Sequence, residues 1–115
     1  MAVKKTLIIP KDNNEAQELK SRYNNEQFNL SEKKNNSSEE YHESIDDEAR
    51  IYYSYFLLYD FTAKKYDPEF DSYSGLNDLL KTLDMAIEAA IFNETKSEIK
   101  KVIDFVKSHS YFYEK

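Results

Sequence analysis

Cysteine is absent from the chain, and with it go a disulfide framework, a thiol nucleophile and every thiolate metal site. Stability must then come from packing alone. Glycine occurs once and proline twice. A β architecture with many hairpins needs residues that tolerate positive φ at each tight turn, so this scarcity argues for helices instead. With Gly75 as the sole glycine, a phosphate-cradling loop of the Walker or Rossmann type is excluded. The apolar run near the N-terminus, Leu7-Ile8-Ile9, stops at Pro10 and is too short for a signal-peptide core or a membrane span. The expectation is a soluble protein that stays in the cytoplasm.

Tryptophan is missing too, yet the chain carries ten Tyr and seven Phe. With 40% of residues hydrophobic and 33% charged, much of the core must be edged by tyrosine, whose hydroxyls need hydrogen-bond partners. A chain of 115 residues suits one domain, which buries about two thirds of the surface its unfolded form exposes. The net charge of -6 is unevenly placed: residues 67–94 hold seven acids against the single base Lys81. That balance disfavours binding to a phosphate backbone, which needs Lys and Arg to displace counterions, and favours cationic partners.

Residues 5–9 are aliphatic and β-branched and end at Pro10, which predicts a short strand or extended arm within an N-terminal arm spanning residues 1–11. Asp12-Asn13-Asn14-Glu15 has the spacing of a capping box, and Ala16, Leu19 and Tyr23 follow at helical intervals, giving a helix over 13–24 that Asn24-Asn25 should end. The stretch from Ser31 to Glu40 has no apolar side chain to offset the entropy of ordering, so residues 31–43 read as a flexible polar loop.

From Ser44 to Tyr66 the residues Ile45, Ala49, Tyr52, Phe56, Tyr59, Ala63 and Tyr66 recur on one helical face. Ser44 is the candidate cap, Asp46, Asp47 and Glu48 suit the positive end of the macrodipole, and Lys64 and Lys65 suit the other. The aromatic run Ile51 to Leu58 leaves a buried strand as the rival reading. After a loop over 67–75, Leu76, Leu79, Leu80, Leu83, Ala86, Ile87, Ala90 and Ile91 line a third helix. Thr95 and Glu98 form a second capping-box spacing ahead of Ile99, Val102, Ile103 and Val106, the stripe of a last helix ending near His109. The aromatic tail Tyr111-Phe112-Tyr113 must dock or be used. The expected fold is mainly α, a compact bundle of three or four helices packed around the middle one. Its predicted core is Tyr52, Phe56, Tyr59, Leu79, Leu83, Ile87, Ile99, Ile103 and Val106.

Chemistry has few candidates. His42 and His109 are the only side chains that titrate near neutrality unaided, and each sits where exposure or helix capping accounts for it. Glu39 and His42 have a Glu-x-x-His spacing used in di-iron bundles, but no second pair accompanies them. Asp67, Glu69, Asp71 and Asp78 fall at positions 1, 3, 5 and 12 of a calcium-loop frame. Ser72 stands where that frame requires glycine, Pro68 stiffens its start, and Asp78 is shorter than the terminal Glu, so an acidic inter-helix loop is the plainer reading. No metal, cofactor or catalytic residue is assigned.

What remains is a surface argument. Tyrosine provides rigid contact area at low entropy cost and acids steer association, so Asp67, Glu69, Phe70, Asp71 and Tyr73, with Asp84 and Glu88, form the candidate partner-binding set. The expected role is a non-catalytic module gripping a basic protein, of the inhibitor, antitoxin or immunity type. Usage heavy in Asn, Lys, Ile and Tyr resembles that of low-GC bacteria and their phages. One rival is a structural or assembly role through paired amphipathic helices. Another is DNA binding through the lysine arm, because Lys4 to Ile9 followed by a helix resembles the start of ribbon-helix-helix regulators over about 20 residues. The second helix that such regulators place soon after is not present.

Overall fold

The computed structural model describes residues 7–114. Four α-helices account for most of them: α1 (Asn13–Asn35), α2 (His42–Lys65), α3 (Ser72–Ala89) and α4 (Asn93–Ser108). Single 3-10 turns occupy Glu39–Tyr41 and Ser110–Phe112. The described residues contain no strand, and the rival strand reading of Ile51 to Leu58 is replaced by the middle of α2.

α1 begins where the sequence predicts. Asp12 caps it by accepting the Glu15 N–H at 2.8 Å, while the Glu15 carboxylate accepts the N–H of Lys11 at 3.2 Å. It does not end at Asn24-Asn25. Those two asparagines point to solvent, and the helix runs a further ten residues because Leu30 is buried against its neighbour. Lys33 and Lys34 complement the C-terminal dipole, and the last carbonyls accept side-chain bonds: Ser37 Oγ to Lys33 at 2.6 Å and Asn36 Nδ2 to Glu32 at 3.0 Å. The expected loop over 31–43 therefore shrinks to residues 36–38 and one 3-10 turn.

That short connection folds α2 back along α1. Ion pairs Lys20–Asp60 (3.0 Å) and Lys34–Asp46 (2.8 Å) join early α1 to late α2 and late α1 to early α2, so the two helices are antiparallel. Between them Tyr23 stands amid three tyrosines of α2: Tyr52 and Tyr59 stack on it at 5.9 and 5.8 Å, and Tyr55 meets it edge-on at 5.1 Å. α3 and α4 pack on α2 and on each other, making α2 the hub.

α2 accordingly buries more than the single face the periodicity marks. Ile51, Ser54, Tyr55, Leu58, Phe61 and Thr62 are buried beside Ile45, Tyr52, Tyr59 and Ala63, whereas Ala49 and Phe56 are only half-buried at the edge and Tyr66 is exposed. Its start also differs. α2 opens at His42 without a side-chain cap, and Ser44 Oγ donates instead to the Tyr41 carbonyl at 3.0 Å. Of the other predicted core residues, Leu79, Leu83, Ile99, Ile103 and Val106 are buried and Ile87 is half-buried.

Residues 7–10 form no strand; they cross the C-terminal half of α2 as irregular chain. Ile8 donates its N–H to the Tyr59 hydroxyl at 3.2 Å and accepts from it at 3.4 Å, and the Tyr66 hydroxyl donates to the Pro10 carbonyl at 3.2 Å. The remainder of the predicted arm, including Lys4 and Lys5, lies outside the described residues. At the other end the aromatic tail docks. Phe112 is buried against Phe61 and Phe105, with centroids 6.2 and 5.7 Å away.

The junction of α3 and α4 has neither glycine nor proline. It is shaped by Asp47, a carboxylate of α2 only 2% exposed, which accepts N–H bonds from Ile91 (3.0 Å) and Phe92 (2.7 Å) and pairs with Arg50 at 2.7 Å. Asp47 thus fixes the two residues that lead into α4, whose own N-cap, Phe92, offers no acceptor side chain. The predicted Thr95 and Glu98 box does not form the cap. Thr95 is buried inside the first turn of α4 and bonds the same carboxylate.

Candidate protein-binding surface

The acidic segment between α2 and α4 contains the whole predicted binding set, and α3 distributes it. Asp71 is the N-cap of α3, accepting N–H bonds from Tyr73 (3.1 Å) and Ser74 (3.3 Å) and the Ser74 hydroxyl at 2.9 Å. The helix thereby starts at Ser72, four residues before the apolar stripe begins. Asp67 turns the preceding loop by accepting the Glu69 N–H at 2.9 Å. Both side chains lie exposed at the surface while organising backbone.

The aromatic pair of that set is split. Phe70 is half-buried on the core, edge-on to Phe61 at 5.9 Å, and its ring lies over Gly75 so closely that a Cβ there would come within 2.3 Å of Cζ. It is a packing residue of the α2–α3 contact more than an available anchor. Tyr73 is 75% exposed. Asp84 and Glu88 lie exposed on the outer side of α3, one helical turn apart, with exposed Met85 between them.

The docked tail completes a groove that the sequence could not show. Tyr73, Leu76 and Leu80 of α3 face Phe112 and Tyr113 across a cleft of about 330 Å³, with Ser72 and Asn77 at its edges. Tyr113 is exposed like Tyr73. A second cleft of about 320 Å³ adjoins it, lined by Lys65, Asp67, Pro68, Phe70 and Asp71, and shares Ser72 and Tyr73 with the first. Beside it the Lys65 ammonium sits over the Tyr111 ring, 4.1 Å from the centroid. Burial and a hydrogen bond to Tyr66 push the Tyr111 hydroxyl pKa well above that of free tyrosine.

Both histidines are engaged with main chain. His42 Nε2 lies 3.1 Å from the Ser37 carbonyl in the α1–α2 connection, and His109 Nδ1 lies 2.9 Å from the Phe105 carbonyl in the last turn of α4. Among the described residues no group of three or more histidines and carboxylates is arranged to hold a metal ion. Asp71 of the calcium-loop frame is committed to its cap and Asp78 lies within α3. No helix among the described residues is long and apolar enough to cross a membrane. No family model, curated protein or solved structure matches the chain.

Proposed function

We propose that the protein is a non-catalytic binding module that grips a basic protein partner, in the manner of a small inhibitor, antitoxin or immunity protein. The observation that carries this reading is the apolar groove between α3 and the C-terminal tail, walled by exposed Tyr73 and Tyr113 and set in a segment holding seven acids against one lysine. Exposed tyrosine beside a small apolar depression is the composition of an interface centre, and a surrounding field of one sign raises the encounter rate with a partner of the other.

The test is differential capture from extracts of the host cell. Wild-type bait should retain a basic protein whose release follows rising salt, and Tyr73→Ala bait should retain much less of it. A partner held equally by both baits, or released without regard to salt, would defeat the reading. A second reading, assembly with copies of itself, is favoured by the exposed Phe28, Met85, Ile91 and Phe92. An elution volume in size-exclusion chromatography that moves with protein concentration would support it.

A further inference from the structure

We infer that Tyr73 divides a two-part docking site for one peptide segment of the partner, which places an apolar side chain in the groove on one side of the ring and a lysine or arginine in the acidic cleft on the other. The inference rests on the reading of the protein as a binder of basic partners. Its own support is that the two clefts share Ser72 and Tyr73 and differ in chemistry: one is floored by Leu76, Leu80 and Phe112, the other contains Asp67 and Asp71.

Complementarity of charge selects the occupant. A partner side chain entering the groove brings its neighbours into the acidic field of residues 67–94, where a cation is favoured and an anion repelled. Among the described residues the one cation lining the acidic cleft, Lys65, is drawn over the Tyr111 ring and faces the charge of Glu114. Asp67 accepts one bond, from the Glu69 N–H, and a carboxylate offers about four acceptor sites, so it retains capacity for a guanidinium or ammonium group. The exposed Tyr73 ring adds a face on which an arginine can stack, the same contact that Lys65 makes with Tyr111. Asp71 contributes charge without moving, since its cap holds it in place.

The experiment is an NMR titration of the full-length isotope-labelled chain with three short synthetic peptides, one pairing leucine with arginine, one leucine with glutamate and one serine with arginine. The leucine–arginine peptide should shift the amides of Asp67, Asp71, Tyr73, Leu76 and Leu80 together. The other two should bind at least about tenfold more weakly, as should the first peptide to the Tyr73→Ala variant, whose spectrum should otherwise be native. If serine–arginine binds as well as leucine–arginine, the contact is charge alone and the two-part site is wrong. Shifts confined to Asp84 and Glu88 would also overturn it, while leaving a basic partner in place on another face of α3. Shifts of the groove amides with protein concentration and no peptide would assign the groove to a second copy of the chain. Silence with both arginine peptides would overturn this site, and the basic-partner reading would then be decided by the capture experiment alone.

Discussion

Asp47 shows how one residue can organise a junction that has no turn chemistry of its own. Its burial alone would raise the carboxyl pKa, but the N–H groups of Phe92 and Ile91, the Thr95 hydroxyl and Arg50 outweigh that and hold it below the ordinary range. A depressed native pKa contributes stability that is present above the unfolded value of about 4 and is lost as pH falls through the native one. Asp47→Ala should cost about 1–3 kcal/mol in urea unfolding, because it leaves the part-buried N–H groups of Ile91 and Phe92 and the Arg50 guanidinium without their acceptor. Asp47→Asn should cost less and flatten the loss of stability below about pH 4. The tyrosines act at the opposite end. Burial pushes the pKa values of Tyr23, Tyr52, Tyr55 and Tyr59 up, so their contribution is intact below the unfolded value of about 10 and disappears as pH rises beyond it. Alkaline unfolding should therefore set in above about pH 10, with the part of the tyrosinate absorbance that comes from these four residues rising together with the loss of helix signal. In the sequence, Asp47 reads only as one of three acids at a helix start, since periodicity carries no information about a partner lying 44 positions downstream.

At the scale of the elements, α3 and α4 were legible from their apolar stripes, and the Asp12 cap from its spacing. The end of α1 was not. Helix propensity at Asn24-Asn25 differs from that of a good helix former by a few tenths of a kcal/mol per residue, a preference that burying Leu30 overrides. The candidate binding set is defined in the sequence by residue type and not by placement on a surface. Phe70 and Tyr73 look alike in the sequence, and only the seat over Gly75 separates the packed ring from the exposed one. That seat makes Gly75→Ala a test of the α2–α3 contact: the added methyl should displace Phe70 and cost about 1–3 kcal/mol, part of which Phe70→Leu in the same chain should restore. Leu83→Ala, at a position with no exposure, should cost about 2–5 kcal/mol. A smaller loss than about 1 kcal/mol in thermal or urea unfolding would contradict the packing of α3.

Over the whole molecule, charge and shape are separable. Asp84 and Glu88 are exposed and make no cap, so reversing both to lysine should leave stability within about 0.5 kcal/mol of wild type while slowing association with a basic partner and reducing its salt dependence. Asp71 is unsuited to the same experiment, because losing its cap would cost about 1 kcal/mol and mix folding with binding. The particle measures 47 × 26 × 22 Å, its long axis comparable with the roughly 35 Å of the 23-residue α1 lying along α2. That hairpin joins chain neighbours through a loop of a few residues and contains the largest interhelical contact in the fold. Most contacts in the fold nevertheless lie within single helices and are local in sequence, and a chain of low contact order crosses its folding barrier on the microsecond-to-millisecond scale. The tyrosine-lined hairpin is the natural nucleus: substitutions at Leu30 should slow refolding, while those at Phe112, which docks from the far end of the chain, should chiefly speed unfolding.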